Sequence, residues 1–358
     1  MPARSSHSPA AEAVGLSRRS FMKQSSVAAA SVVAASSSPL VPSHAIAAPV
    51  VAKPPAAESV VKLLFESMSE KQKSEVCFDW DYTRGKQGLL RTRIQNNWKI
   101  TKPDVKSDFY TADQQQMIRD IFEGITNPAW HERWDKQLQD DVGGFGRRQS
   151  IAIFGTPGSG KFEFVLASRH MTLRCDGDSA DHVAFGGPIL YAHEGEDLFE
   201  EPHHPNNVFW HQALEATELY NMLDGKQQEQ ALVVKGMPSE ELVGFRGPKG
   251  KFQGLPVSDM SADQAEHLQG VLKLMLEPFR QSDQDEVVKC LKAQGGIEKC
   301  NLAFYQEGDM GGDKIWDNWR LEGPSFVWYF RGKPHVHVWV NVAADPSVEL
   351  NSWQNSVL

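Results

Sequence analysis

The sequence predicts an α+β protein: a mainly antiparallel sheet with helices packed on it, and a helical N-terminal part. Three observations carry that expectation. Apolar residues recur at helical spacing up to about residue 141 and again over 208–235 and 261–294. From about residue 149, and again from Asn301 to Val342, the period drops to two. Strand runs and helix runs follow one another without the βαβ alternation of a parallel sheet. The 358 residues, 41% hydrophobic and 23% charged, have the composition of a chain that buries a core. That excludes disorder throughout, collagen-like repeats and a multispan membrane protein. Lys+Arg 37 against Asp+Glu 46 gives a net charge of −9, the wrong balance for a nucleic-acid binder.

Residues 1–47 read as an export signal. Ser17-Arg18-Arg19-Ser20-Phe21-Met22-Lys23 has the twin-arginine pattern, a mild apolar stretch follows from Val27 to Ala35, and Ala45-Ile46-Ala47 supplies a small-x-small cleavage site. The apolar run is far shorter than the ~20 residues a membrane span needs. The expected partner of residues 17–23 is the twin-arginine export machinery. The expected location is the periplasm or another exported compartment, with no transmembrane segment after cleavage near Ala47. The signal carries Arg4, Arg18, Arg19 and Lys23 against Glu12, so the chain beyond it is more acidic than the whole.

Residues 48–58 read as a flexible Pro/Ala leader, 59–345 as one α+β domain and 346–358 as a C-terminal tail. Ser69-x-x-Gln72, Thr111-x-x-Gln114 and Ser261-x-x-Gln264 have capping-box spacing at helix starts. Met117, Ile118, Ile121, Phe122 and Ile125 share one helix face, and Leu268, Val271, Leu272, Met275 and Phe279 another. Asn127-Pro128 reads as an N-cap with proline at the first helical position. Ser150 to Phe154 is a strand, Phe162 to Cys175 alternates as one further strand, and Gly186 to Ala192 makes another. The tail of the domain gives strands near 301–306, 315–322, 325–331 and 335–342.

Gly155-Thr-Pro-Gly-Ser-Gly160-Lys161 fits most of a P-loop, but Phe162 stands where the magnesium-binding Ser/Thr belongs. The residues that follow alternate like a strand instead of opening a helix toward phosphate. The segment is expected to be a hairpin loop, with no ATP bound.

The candidate chemistry lies in His335-Val336-His337-Val338-Trp339-Val340-Asn341-Val342. Alternation sends the four valines to one face and His335, His337, Trp339 and Asn341 to the other. Two imidazoles at i and i+2 on a strand stand about 6–7 Å apart along the backbone, close enough to converge on one metal. On the earlier strand, Val165, Ala167, Met171 and Leu173 form an apolar face, with His170, Thr172 and Arg174 on the other. If the two strands share a sheet, His170, His335 and His337 supply the ligand count of an open catalytic site. Glu322 is the nearest candidate general base, with Glu307 behind it. The competing reading is a solvated sheet face with unconnected histidines. A second cluster, His193-Glu-Gly-Glu-Asp-Leu-Phe-Glu-Glu-Pro-His203-His204 with His211 beyond, reads as an acidic loop that either binds metal or is plain surface. Trp316, Trp319, Trp328 and Trp339 either line a pocket or pack the sheet. The four cysteines include no CxxC pair; Cys290 and Cys300 flank Gly295-Gly296, and oxidising conditions outside the cytoplasm would permit a disulfide there, but spacing alone fixes no geometry and leaves the pairing open.

Several segments also show a family likeness. Trp319-Arg-Leu-Glu-Gly-Pro-Ser-Phe326 followed by His335-Val-His337 resembles the C-terminal signature of the bacterial domain-of-unknown-function 3500 family, a "YRIxGPxFLIE" strand and then "HxH". Phe154-Gly-Thr-Pro157 with Arg169-His170-Met-Thr-Leu173 resembles its "FGxP…HHxS" segment, and Pro256-Val-Ser-Asp-Met260 adds a weaker match. The likeness runs over roughly residues 60–345 in the same motif order. It implies a shared fold and supports the three-histidine site, but names no substrate. Departures stand at Arg169, where the family has a first histidine, at Tyr329, where it has an acid, and at Asn341 to Ala344, where it has Arg-Asp. They imply a depleted or altered metal shell.

The functional expectation is an exported metal-dependent enzyme, a hydrolase in preference to an oxidoreductase, holding Zn, Fe or Cu on His170, His335 and His337 with Glu322 assisting. The alternative is a non-catalytic periplasmic binding or scaffold protein with an aromatic-lined β face. The sequence alone does not decide whether the chain is an enzyme.

Overall fold

The computed structural model describes residues 56–195, 203–310, 312–348 and 350–352. The expected export signal over 1–47 and most of the leader lie outside these residues, as does the middle of the acidic loop. The elements, in chain order, begin with α1 (Ala57–Ser67), α2 (Glu70–Val76), β1 (Cys77–Phe78), β2 (Arg93–Ile94), α3 (Ala112–Ile125) and α4 (His131–Val142). Then come β3 (Ser150–Gly155), β4 (Phe162–Ser168), β5 (Met171–Cys175), β6 (Ile189–His193), α5 (His211–Met222), α6 (Gly225–Ala231), β7 (Leu232–Val233) and β8 (Leu255–Pro256). The last are α7 (Ala262–Leu276), α8 (Gln281–Ala293), β9 (Asn301–Tyr305), β10 (Asn318–Gly323), β11 (Phe326–Arg331), β12 (Val336–Val342) and β13 (Asn351–Ser352). The leader thus ends sooner than expected, because α1 starts at Ala57. The tail contributes β13, which pairs with β2.

Eleven strands form one sheet in the order β1-β3-β4-β5-β6-β12-β11-β10-β9-β7, with β8 also on β9. Only β1–β3 and β7–β9 are parallel, so the predicted α+β class with a mainly antiparallel sheet holds. The helices bury one face. There Val336, Val338, Val340 and Val342 join Phe326, Trp328 and Phe330 in the main core. The other face buries Trp339 against Leu190, Ala192, Val327 and Tyr329. Trp319, Trp328 and Trp339 are fully buried, so these indoles pack the sheet and line no open surface. Among the described residues no helix is long and apolar enough to cross a membrane.

All three predicted capping boxes form. Each satisfies helix-end N–H groups that have no partner within the helix. The capping glutamines do more than cap. The Gln72 Nε2 donates to Gln114 Oε1 at 2.7 Å, and Gln264 Nε2 donates to Gln227 Oε1 at 2.8 Å, tying α2 to α3 and α6 to α7. Gln114→Ala is expected to lower stability by about 1–2 kcal/mol, a cap plus a buried hydrogen bond, read by denaturant unfolding. An unchanged midpoint would show the pairing to be energetically idle.

One expectation needs correction: Phe162 to Cys175 is not one strand. The chain turns at Arg169-His170, with His170 at φ 62°, and β4 and β5 pair as a hairpin. Val165 and Ala167 therefore share a face with Arg174 and Thr172, while Met171 and Leu173 point to the main core. Cys290 and Cys300, whose pairing the sequence leaves open, are separate free thiols, both buried. The Gly155–Lys161 segment is the expected hairpin loop, joining antiparallel β3 and β4 with Thr156 N–H donating to the Lys161 carbonyl at 3.0 Å.

Candidate metal centre

Strand register assembles the histidines. His337 on β12 pairs with Ala192 on β6, and Ala192 N–H donates to the His170 carbonyl at 3.0 Å. The small side chain of Ala192 leaves the space between them to imidazole rings. His335 precedes β12 and folds over the same space. The turn that carries His170 is pinned by its own N–H, which donates to the Asn96 carbonyl at 2.6 Å. The three ring centroids lie 4.6, 4.7 and 5.1 Å apart. One ligand nitrogen from each histidine lies within 4.8 Å of the others, so the group can hold a metal ion.

The two nitrogens of each ring face different surroundings. The Nδ1 of His170 is 2.8 Å from Asp141 Oδ1, that of His337 is 2.7 Å from Glu240 Oε2, and that of His335 is 3.8 Å from Glu194 Oε1. A carboxylate hydrogen-bonded at Nδ1, as at His170 and His337, accepts from an Nδ1–H and leaves Nε2 with a bare lone pair. His170 Nε2 and His335 Nε2 face one another at 3.0 Å, and His337 Nε2 is buried without any partner. Burial, reinforced by the charges of His337 and Arg169, pushes the His170 pKa down to about 2, and burial with its histidine neighbours takes His335 down to about 3. Near neutral pH neither ring is doubly protonated, so each keeps one N–H, and His335, whose Nδ1 has no hydrogen-bonded carboxylate, can donate from Nε2 to the bare Nε2 of His170. A cation between them would take the place of that hydrogen bond and bind both nitrogens. Tetrahedral zinc with bonds of about 2.0–2.1 Å sets its nitrogen ligands roughly 3.4 Å apart, a few tenths of an ångström beyond the observed separation.

The carboxylates are themselves held. Glu240 also accepts Trp339 Nε1 at 3.3 Å, Arg331 at 2.5 Å and Asn96 at 3.3 Å. Burial pushes its carboxyl up, but the bonds from His337 and the Arg331 charge bring it below the ordinary value. Asp141 accepts Gln137 Nε2 at 2.7 Å, the Glu194 N–H at 3.1 Å and Arg169 at 3.3 Å, and burial raises its pKa to about 7. Asp140 and Asp141 occupy the last turn of α4, where the helix dipole disfavours acids. Each compensates by taking a histidine, Asp140 binding His193 at 2.8 Å. Glu194 is the more open acid, its side chain 41% exposed and paired with Arg169.

Glu322 does not reach this group. His337 stands level with Arg331 and Asn318, whereas Glu322 stands level with Val327 and Asn341, about 13 Å further along the strands and two strands across. Its carboxylate is held by Arg246 at 2.9 Å and Arg320 at 3.2 Å. Glu307 is elsewhere too, accepting the Gly236 and Met237 N–H groups. From the second cluster, His193 ends β6, His204 accepts the Asn206 N–H, and His211 is half-buried beside Trp130. None of them joins the three.

Sequence reasoning missed Asp141, Glu194, Glu240 and Arg331. Two acids closing a helix were a usable signal for Asp141. Glu194 lay inside the acidic loop already singled out, and Glu240, 97 residues from His337, gave none. No curated protein and no solved structure matches the chain. The family described as Protein of unknown function (DUF3500) matches residues 53–342, most of the sequence. With that coverage and the motifs above, the chain belongs to the DUF3500 family.

Proposed function

We propose that the protein is an exported metal-dependent enzyme, a hydrolase, whose single divalent ion is held by His170, His335 and His337. The observation that carries this is the convergence of nitrogens from His170, His335 and His337 within 4.8 Å of one another, with the Nδ1 of His170 and of His337 each hydrogen-bonded to a carboxylate and the His337 Nε2 buried without a partner. Export rests on the twin-arginine segment and the cleavage site after it. Three imidazoles and no thiolate suit Zn, Fe or Cu.

When bound, such an ion polarises a carbonyl or phosphoryl oxygen and makes water acidic near neutral pH. The chain supplies the rest. Asp141 and Glu240 fix the ring tautomers and orientations. Glu194, partly exposed and 3.8 Å from His335 Nδ1, takes the place expected for Glu322 as the carboxylate that accepts a proton from the attacking water. Arg169, bound to both Asp141 and Glu194, keeps that carboxylate beside the histidines.

The test is turnover of a panel of p-nitrophenyl esters and phosphates by the metal-loaded chain. The reading predicts hydrolysis that chelator abolishes and that Glu194→Gln lowers by about 10²–10⁴-fold in kcat with metal content retained. A fully loaded protein that hydrolyses none of them, or a Glu194→Gln variant with unchanged kcat, would favour the non-catalytic alternative. The buried indoles leave that alternative without its open aromatic face.

A further inference from the structure

The Gly155–Lys161 hairpin lies at the other end of β4 from the His170 turn, a seven-residue strand and hence about 23 Å away. Lys161 and Trp80 border a cavity of ≈160 Å³ there, with Arg91 beside them and an apolar wall that includes Leu89, Val183 and Val348. The Arg91 guanidinium lies over the Trp80 indole at 4.1 Å, and the Lys161 ammonium lies 5.8 Å from the same ring. Lys161 makes no ion pair among the described residues.

The charge around this cavity does not balance. Arg91 reaches Glu163 Oε2 at 3.1 Å, while Arg174 binds the other oxygen of the same buried carboxylate. Arg174 spends its remaining donors on the carbonyls of Arg91, Arg93 and Pro188. Arg91 Nε is buried without a hydrogen-bond partner. The further acid near Arg174 is Asp176, whose Oδ2 accepts the Ala180 N–H at 2.9 Å and whose pKa burial pushes up. At the mouth Asp181 lies 3.9 Å from His182. Two guanidinium groups, of Arg91 and Arg174, and the Lys161 ammonium thus stand behind and beside a small cavity, with Glu163 and Asp176 as the inner carboxylates. A buried cationic N–H without a partner is costly, and among the described residues neither Arg91 Nε nor the Lys161 ammonium has an anion to itself.

We infer that this cavity is a binding site for a small organic anion, a carboxylate carried on a single ring or short apolar chain. The carboxylate sits between Arg91 and Lys161, where two donors converge, and the apolar body lies against Leu89 and Val183. The volume is below the ~300 Å³ at which drug-sized sites begin, which limits the body to a fragment of that kind. The site is independent of the histidine group and gives the P-loop-like lysine a role that involves no nucleotide.

The experiment is calorimetric titration of the full chain with benzoate and with its neutral counterpart benzamide. Lys161 is exposed, so its variants are expected to fold. Benzoate should bind at least about tenfold more tightly than benzamide, a difference of about 1.4 kcal/mol. Lys161→Gln should weaken benzoate several-fold, and Lys161→Glu should abolish its binding. Because carboxylates also ligate metals, the titration is repeated on His335→Ala/His337→Ala protein, where benzoate affinity should be unchanged. Equal binding of benzoate and benzamide, no heat with benzoate, indifference to both Lys161 variants, or loss of binding in the double histidine variant would each overturn the assignment.

Discussion

Glu240→Gln is expected to weaken metal binding by about 10–100-fold while the protein stays folded, the range found when a carboxylate behind a ligating histidine is removed. Glu240 is the hub of its side of the site, joining His337, Trp339, Arg331 and Asn96. Glutamine preserves the shape and retains a carbonyl for one of those donors. It removes the charge that holds the His337 proton on Nδ1 and leaves Arg331 without its ion pair. His337 is then free to reorient, and its Nε2 no longer points reliably at the other two rings. A competition titration against a chromophoric chelator gives the affinity, and circular dichroism confirms the fold. An affinity within twofold of wild type would mean that Glu240 is only a structural partner.

Chelation should cost the protein stability. An ion that binds only the folded chain stabilises it by about 4 kcal/mol at a thousand times its Kd, which for a domain of this size is on the order of 10 °C in Tm. The sign is fixed by geometry. Without a cation, His337 Nε2 stays buried without a partner, and His170 and His335 share one hydrogen bond at 3.0 Å where an ion would bind all three nitrogens. Wild-type protein should therefore melt lower after chelator treatment and recover on adding back one equivalent of metal. The His335→Ala/His337→Ala variant should show no response to either. A chelator-insensitive wild type would contradict a site occupied in the folded protein.

What was legible in the sequence was whatever depends on short spacing. The capping boxes at Ser69, Thr111 and Ser261 need only a residue and a glutamine three further on, and all three form. The valines of β12 select their face by alternation alone, which also put His337 and Trp339 together on the other. The likeness of short motifs was enough to name the family. What failed depends on geometry that alternation does not encode. Arg169-His170 contains no glycine or asparagine, the usual signals for a tight turn, so the hairpin was read as one strand and its faces were merged. Glu322 lies about four residues along the paired strands from His337, and period-two patterning says nothing about position along paired strands. Glu240 enters from a short turn remote in sequence, and only the folded register brings it under His337.

The central claim is that this chain carries one metal ion on three histidines. Elemental analysis of protein purified from its native host, beside His335→Ala/His337→Ala protein prepared the same way, tests it most directly. The geometry predicts about one transition-metal ion per wild-type chain and almost none in the variant, since removing two of three ligands leaves no site. Substoichiometric metal in the wild type, or undiminished metal in the variant, would contradict it.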